Sequence, residues 1–315
     1  MVLDMSFSGK VKDELSRHWS NARHCQIAEI AAIISMCGRI IISMDDKYMV
    51  KIHTENIAVA RKYFTLLKKT YSIDTEMSIR CNANVSIYSV VVKHHDDAIK
   101  ILRASKLIDR YGEISENLSV SDNIIIQKEC CKRAFIRGAF LAAGSVSDPN
   151  KFYHFEIVCS ALAKAEQIKN IISCFYVEAK IIERKKHFVV YVKEGSGIVD
   201  MLNIMEAHIS LMELENVRIL KEMRNSVNRK FNCEMANLNK TVSAAVRQIE
   251  DIKYINDTVG LSHLPGPLME IAKLRLENPD SSLKELGEML SSPVGKSGVN
   301  HRLRKISGIA DDLRK

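Results

Sequence analysis

The chain carries the same short helical pattern twice, and each copy ends at a glycine. The first copy is Ile30–Gly38 (IAAIISMCG) and the second is Ile136–Gly144 (IRGAFLAAG). Both have a small residue at the third place, Ala32 and Gly138. Small side chains let two helices approach closely, and a terminal glycine is typical of a left-handed helix end. We therefore predict two such helices packed together at the centre of a pseudo-twofold molecule.

The segments around each copy follow one order: helix, hairpin, helix, hairpin, helix. Helical spacing marks 22–37, 56–71 and 96–108 in the first repeat, and 130–143, 160–177 and 197–209 in the second. Strand-like alternation lies between them, with turns at Asp45-Asp46-Lys47 and Asn82-Ala83-Asn84 and around 184–186. We expect Ser160 to be an N-cap. In the helix over 56–71 we expect these residues to face inward: Ile57, Ala60, Phe64 and Leu67. Paired strands before each helix favour a duplicated α+β unit over a doubly wound sheet.

The glycine-terminated pattern resembles the signature of the LAGLIDADG homing endonucleases. In those enzymes the eighth position of each copy is an acid that holds a divalent metal between two scissile phosphates. Here Cys37 and Ala143 occupy those positions. Alanine cannot bind a metal, and a thiol is a poor ligand for Mg²⁺. Asp148 lies in a Ser-Asp-Pro segment typical of a turn. We therefore expect no catalytic residue and no nuclease activity.

Short helices separated by prolines follow near the C-terminus. Four of the five prolines lie in the last 51 residues, which indicates a boundary near Leu261. Ser282 and Glu285 have the spacing of a capping box, and Ser297 is expected to cap a last helix that turns Val299 inward with Leu303 and Ile306. Two short helices with a tight turn, the second basic, are typical of a helix-turn-helix. The alternative is a small helical bundle with a solvated basic face.

The candidate DNA contacts of this region are polar or basic residues that can grip base edges or phosphates. They are Lys284, Lys296, Ser297, Gly298, Asn300, His301, Arg302, Arg304 and Lys305. Upstream, a helical segment rich in Arg, Lys and Asn is either a solvated linker or a phosphate-contacting arm. Its candidate phosphate contacts are Arg224, Asn228, Arg229, Lys230 and Lys240.

Composition limits the remaining classes of protein. A net charge of +8 favours phosphate-rich or anionic-membrane partners. The longest apolar run is too short to span a bilayer. The eight cysteines include no C-x-x-C pair, and the adjacent Cys130–Cys131 cannot chelate as one would. We interpret them as buried, reduced thiols of a cytoplasmic protein; a zinc site is the alternative. We expect no cofactor, no bound metal, no small-molecule substrate and no membrane partner.

The whole chain resembles the WhiA family of bacterial proteins, which joins a degenerate LAGLIDADG domain to a C-terminal helix-turn-helix. The segments that carry the resemblance are FIRGAFLAAGSVSDP, YHFEI, NRKFNCEMANLNKT and SLKELGEMLSSPVGKSGVNHRLRKI. The resemblance implies a non-enzymatic DNA-binding protein at the nucleoid, a transcriptional regulator tied to cell division, chromosome segregation and, in some lineages, sporulation. It places the DNA-binding segment at about 281–313. The loss of the acids at Cys37 and Ala143 agrees with it.

We therefore expect an α+β fold of two pseudo-symmetric LAGLIDADG-like repeats followed by an all-α helix-turn-helix domain. The expected limits are 1–213 for the LAGLIDADG-like domain (repeats at about 20–112 and 127–213), 214–262 for a basic helical linker and 263–315 for the helix-turn-helix domain. The expected partner is double-stranded DNA. Two alternatives stay open: an interaction protein whose repeat domain docks on another regulator or the division machinery, and a metal-dependent homing endonuclease.

Overall fold

The structure is a computed structural model, and it describes residues 5–44, 47–82, 85–108, 113–114, 118 and 123–314. The chain divides into two compact units, Met1–Lys221 and Glu222–Lys315. The turns expected at Asp45-Asp46 and Ala83-Asn84 lie outside the described residues. Within the described ranges, no helix has both the length and the apolarity that a membrane crossing requires.

The first unit opens with a helix that the sequence analysis did not predict. This helix, α1 (Phe7–Arg17), is capped by the Ser6 side chain and buries Phe7, Val11 and Leu15. The first repeat follows it as α2 (Arg23–Cys37), β1 (Gly38–Ile42), β2 (Tyr48–Thr54), α3 (Ile57–Tyr71), β3 (Glu76–Asn82), β4 (Val85–Val92) and α4 (His95–Ala104).

The second repeat has the same order of elements as the first. It consists of α5 (Glu129–Ala143), β5 (Gly144–Val146), β6 (Phe155–Cys159), α6 (Leu162–Ser173), β7 (Lys180–Arg184), β8 (His187–Val192) and α7 (Gly195–Met205). Each repeat forms a four-stranded sheet, ordered β1-β2-β4-β3 in one and β5-β6-β8-β7 in the other. All the strand pairs are antiparallel. The predicted fold class is confirmed.

The helices α2 and α5 pack against each other in the core of the first unit. A Cβ atom at Gly138 of α5 would lie 2.6 Å from the carbonyl oxygen of Glu29 and 2.9 Å from the Cβ of Ala32 in α2. A Cβ atom essentially never comes that close to another heavy atom, so glycine is required at this crossing. The prediction that small residues let the two helices approach closely is confirmed.

The prediction of left-handed backbone at the two terminal glycines is wrong. Gly38 has φ −85° and ψ 157°, and Gly144 has φ −91° and ψ 158°, so both are extended. Each helix passes directly into a strand at its glycine. A Cβ at Gly38 would lie 2.4 Å from the carbonyl oxygen of Ile34, and one at Gly144 would lie 2.3 Å from Cδ2 of Phe140. Lack of space, and not a positive φ, requires glycine here.

Two smaller expectations in this unit are also wrong. The N-cap of α6 is Ala161, and Ser160 instead accepts a hydrogen bond of 3.3 Å from the Nζ of Lys164. In α3, Ile57 is 38% exposed. Ala60 and Leu67 are buried as expected, and Phe64 is half-buried. Because α3 contacts α1, α2, β2 and β4, it also buries Val59, Tyr63 and Leu66.

The second unit is helical. The long helix α8 (His208–Thr258) continues into it, and α9 (Gly266–Glu277), α10 (Leu283–Glu288) and α11 (Lys296–Leu313) follow. Their apolar core is Ile252, Ile255, Leu264, Leu268, Ile271, Ala272, Leu286, Leu290, Val299, Leu303, Ile306 and Ala310. The inward positions predicted for the last helix are confirmed. Ser297 is not its N-cap, because α11 begins at Lys296 and its N-cap is Gly295.

Candidate nucleic-acid interface

The helices α10 and α11 are joined by a turn whose geometry is fixed by backbone contacts. The capping box of α10 is present: Ser282 accepts from the Glu285 N–H at 3.3 Å, and the Glu285 carboxylate accepts from the Ser282 N–H at 2.7 Å. In the turn, the Val294 N–H donates to the Gly287 carbonyl at 3.1 Å. A Cβ at Gly287 would lie 2.2 Å from the Val294 carbonyl oxygen, so a glycine in α10 allows the turn to close.

A carboxylate from α9 holds the same turn from the other side. Glu270 accepts a hydrogen bond of 2.7 Å from the Ser291 N–H. That backbone hydrogen bond, with the positive charge of Arg302 as a smaller cause, lowers the pKa of the Glu270 carboxyl group. Arg302 is half-buried, so it is partly committed to this turn. Sequence reasoning missed Glu270 because it lies in the preceding helix.

The outer face of α11 carries most of the predicted contacts. Ser297, His301 and Arg304 lie at i, i+4 and i+7 and therefore share one side of the helix, opposite the buried Val299 and Leu303. All three are exposed, as are Lys296 and Lys305, whereas Gly298 and Asn300 are half-buried. The predicted outward placement of His301, Arg304 and Lys305 is confirmed, whereas Asn300 and Arg302 are half-buried. The role of all these residues in DNA binding stays a prediction.

The start of α11 adds backbone donors to this face. No side chain caps that helix end, and a helix N-terminus attracts phosphate through its free N–H groups and its dipole. Leu283, Lys296, Ser297 and Asn300 line a shallow depression there. Lys284, on α10, is mainly exposed and lies 3.9 Å from Glu288. Three of the candidate residues, Lys296, Ser297 and Asn300, thus line one surface at the start of α11.

The predicted phosphate contacts on α8 are exposed but do not share one side of the helix. Arg224 and Asn228 lie one turn apart, whereas Arg229 and Lys240 lie on a different side, and Lys230 on a third. The Nε of Arg229 donates to the carbonyl oxygen of Asn225 at 3.2 Å. An exposed apolar stripe, which sequence reasoning missed, adjoins Arg224: Met223, Val227, Phe231, Leu238 and Val242. A single phosphate-binding face on α8 therefore does not follow from the structure.

The sheet of the first repeat carries a basic cluster that the sequence did not reveal. Arg39 is the cross-strand partner of Lys51, and His53 and Arg80 lie on the same face of the sheet. Burial, followed by the charges of Lys51, Arg39 and Arg80, lowers the pKa of His53. The opposite face is the core, which contains Val50 and Ile52. Neighbouring strands bring together cations that lie up to 41 positions apart.

The C-terminal ends of α2 and α5, where the endonuclease motif has acids, present thiol and ammonium groups. The Cys37 thiol donates to the Ile33 carbonyl oxygen, at an S···O distance of 3.3 Å. Burial raises the pKa of Cys37 to about 12, although Lys12 and Lys164 lower it somewhat. Burial lowers the pKa of both lysines, and the Nζ of Lys164 donates to the carbonyl oxygen of Ser35. A neutral thiol beside two lysines is unsuited to Mg²⁺.

Asp148 behaves as the sequence predicts. Its carboxylate accepts hydrogen bonds from the Asn150 N–H at 2.9 Å and from the Asn150 side-chain amide at 3.1 Å. These two hydrogen bonds are the main causes that lower its pKa. The residue is therefore held in the turn by its own neighbours.

Two LAGLIDADG-like repeats followed by a helix-turn-helix define the class of protein. Models of the WhiA N-terminal LAGLIDADG-like domain, the WhiA LAGLIDADG-like domain and the WhiA C-terminal HTH domain match residues 23–108, 132–224 and 227–310. The chain belongs to the WhiA family.

Full-length relatives agree with this assignment. The chain is 56% identical to the probable cell division protein WhiA of Lachnoclostridium phytofermentans, over 98% of this chain and 100% of that protein. It is 51% identical to the protein of the same name from Alkaliphilus oremlandii, over 98% of each. The fold is similar to the crystal structure of "full-length DUF199/WhiA from Thermatoga maritima", with a TM-score of 0.59 and 24% identity over 98% of both chains.

Proposed function

We propose that this protein is a non-enzymatic, DNA-binding transcriptional regulator that acts in cell division and chromosome segregation. The observation that carries the DNA-binding part is the outer face of α11, where Ser297, His301 and Arg304 share one exposed side beside an uncapped helix end. Arginine can grip a guanine edge with two hydrogen bonds, and helix N-termini bind phosphate. The link to cell division rests on the names of the relatives.

The direct test is the affinity of the full chain for labelled duplex DNA as a function of salt. We expect log K to fall linearly with log[salt], because each neutralised phosphate releases condensed counterions. Arg304→Ala should weaken binding about tenfold or more. Lys169→Ala, which removes an exposed cation from α6, is the charge-matched control and should bind as the unaltered chain does. Equal affinity of Arg304→Ala and the unaltered chain would contradict the assignment of α11.

We propose that the first repeat adds non-specific contacts through its basic sheet face. Arg39, Lys51 and Arg80 provide three cations on one solvent-facing surface, and such cations neutralise phosphates without reading sequence. Lys51→Ala should weaken binding by a similar factor on every duplex and reduce the salt slope by about one. A loss of affinity confined to one DNA sequence would contradict this contact.

The absence of catalysis follows from the chemistry at the ends of α2 and α5. Metal-assisted hydrolysis of a phosphodiester needs hard oxygen ligands, and Cys37 and Ala143 provide none. Incubation of the full chain with plasmid and Mg²⁺ or Mn²⁺ should leave the plasmid supercoiled. Metal-dependent cutting that co-purifies with the protein would overturn this part of the proposal.

The alternative, a repeat domain that docks on another regulator or on the division machinery, makes a different prediction. A chain that lacks 261–315 should keep its biological activity if docking is the main function, and should lose it if the helix-turn-helix is required. Chromatin immunoprecipitation with sequencing, applied to both chains, distinguishes the two outcomes and identifies the sites bound.

A further inference from the structure

Four metal-ligand side chains meet at the N-terminal ends of the central helix pair. His24 and Cys25 are the second and third residues of α2, and Cys130 and Cys131 are the second and third residues of α5. The two pairs occupy equivalent positions of the two repeats, each 106 residues apart, as are the terminal glycines. The packing of α2 on α5 therefore brings into contact two pairs that lie far apart in the sequence.

The four ligand atoms are already close together. The Nδ1 of His24 lies 3.1 Å from the Sγ of Cys131 and 3.3 Å from the Sγ of Cys25. All four ligand atoms lie within 4.8 Å of one another. In a tetrahedral site with Zn–S bonds of about 2.3 Å and a Zn–N bond of about 2.0–2.1 Å, neighbouring ligand atoms are roughly 3.5–3.8 Å apart. Small side-chain adjustments bring the four atoms to that spacing.

The chemistry of the group selects zinc over the hard cations. Three thiols and one imidazole form a Cys₃His set, one of the usual structural zinc sets, whereas Mg²⁺ prefers oxygen. Both ligand pairs lie in the first turn of their helices, and no side chain caps either helix. Cys25 and Cys131 are buried while His24 and Cys130 are exposed, so an ion has a path from solvent.

Among the residues that the structure describes, this is the one group of three or more His, Cys, Asp or Glu side chains placed to hold a metal ion. The opposite ends of the same two helices present Cys37 and Ala143 instead.

We propose that His24, Cys25, Cys130 and Cys131 form a structural Zn²⁺ site that joins the two repeats at the N-terminal ends of α2 and α5. On binding, the three thiols release their protons to solvent and the imidazole binds through a ring nitrogen. Because two ligands come from each helix, the metal ties the two repeats together. This site differs from the sequence-based expectation of no metal. Cys130 and Cys131 do not form a binding pair by themselves; His24 and Cys25, which the packing of α2 on α5 brings beside them, complete the set, and spacing along one segment does not reveal ligands shared by two helices.

The first experiment measures metal content and coordination in the full chain. Protein purified under reducing conditions is given one equivalent of zinc, passed over a desalting column and assayed by atomic emission; one zinc should remain per chain. Replacement by Co²⁺ should give the thiolate charge-transfer and tetrahedral d–d absorption bands. A chain that retains no zinc and gives no thiolate–cobalt absorption would overturn the proposal.

The second experiment compares ligand variants in a competition with a chromophoric chelator. Cys130→Ser is the main variant because its side chain is exposed, and His24→Ala is the second. The zinc affinity of each should fall by at least about 100-fold, because even the loss of a supporting residue costs 10–100-fold. The matched control is Cys233→Ser, an exposed thiol on α8, which should bind as the unaltered chain does. Unchanged affinity of Cys130→Ser would overturn the assignment.

A thermal measurement separates metal binding from folding. The Tm of the unaltered chain should rise when zinc is added and fall when it is chelated, because a ligand that binds only the folded state stabilises it. The Tm of Cys130→Ser should be insensitive to both treatments. If the thiols instead pair, mass spectrometry of the purified, non-reduced chain will show a disulfide among Cys25, Cys130 and Cys131, and that outcome would also overturn the proposal.

Discussion

The central helix pair of the first unit and the helix α11 of the second unit use their cations in opposite ways. In the first unit, Arg137, Lys62 and Lys164 are almost fully buried, and their partners are protein groups. In the second unit, Lys296, Arg304 and Lys305 are exposed on α11. The cations of the chain therefore have two different roles: some stabilise the helix pair, and others are available to bind a polyanion. Charge counted from the sequence does not separate the two.

The buried cations belong to an ion network around α2 and α5. The Nε of Arg137 lies 3.4 Å from the Oε2 of Glu29, and its guanidinium also donates to Glu206, to the Met205 carbonyl oxygen and to the Ser20 hydroxyl. Lys62 lies 3.4 Å from the other oxygen of Glu29. Two acids, Glu29 and Glu206, thus balance two cations. Burial is the main cause that lowers the pKa of Lys62.

The largest expected effect comes from breaking this network. Arg137→Met keeps the apolar part of the side chain but leaves Glu29 with one cation instead of two, and should reduce the free energy of unfolding of the first unit by about 3–5 kcal/mol. Trp19 is the single tryptophan of the chain, and it packs against Lys62 at 3.9 Å, so its fluorescence during urea unfolding reports on this unit.

The matched control is Arg133→Met, one turn earlier in α5. Arg133 is partly exposed and pairs with Glu129 at 2.9 Å, and such a pair contributes at most about 1 kcal/mol. If the two variants unfold at the same urea concentration, the buried network does not stabilise the unit in the way described.

Arg137 also shows where sequence reasoning ends. Arg137 is the second residue of the motif Ile136–Gly144. Its acidic partners are far away in the sequence, because Glu29 and Glu206 lie 108 and 69 positions from it. The repeat order was predictable because helical and strand periodicities are local. The network, the basic sheet face and the Cys₃His group were not, because each depends on contacts between distant segments.

The helix-turn-helix was predictable for the same reason that the repeats were. The inward positions of α11 follow from spacing alone, and the capping box from two residues. The sequence did not show that Glu270 fixes the turn, nor that Gly287 is needed inside α10, because both contacts cross from one helix to another. The sequence pattern predicted glycines at the ends of α2 and α5, but for the wrong reason. They are needed because a Cβ atom would clash with the preceding helical turn, not because the backbone is left-handed.

The second prediction concerns the close approach at Gly287. Gly287→Ala places a Cβ against the carbonyl oxygen of Val294, and the turn must shift to relieve it. We expect a loss of about 1–3 kcal/mol in the second unit, measured by amide hydrogen exchange across α10 and α11. Trp19 fluorescence should follow the same unfolding curve as in the unaltered chain. A displaced Trp19 transition would show that the perturbation is not confined to the second unit.

The third prediction separates binding from stability on α11. Because Arg304 is exposed and lies opposite the apolar core, Arg304→Ala should change the free energy of unfolding by no more than about 0.5 kcal/mol, while DNA affinity falls about tenfold or more. Arg137→Met is expected to do the opposite: its main effect is a lower free energy of unfolding. Destabilisation of several kcal/mol by Arg304→Ala would mean that this cation, too, is structural.

The smallest effect is expected at Gly308 in α11, which has open space around it, whereas Gly138 at the helix crossing has none. A Cβ at Gly308 would have no atom within 4 Å. The residue is exposed and lies away from both ends of α11. Gly308→Ala removes backbone freedom from the unfolded chain without a clash, so it should stabilise the second unit by about 0.5–1 kcal/mol. Hydrogen exchange in α11 should slow accordingly, whereas Gly138→Ala, made against the crowded helix pair, should destabilise its unit. If both alanines destabilise, the difference in space does not decide the outcome, and the role assigned to the helix crossing is wrong.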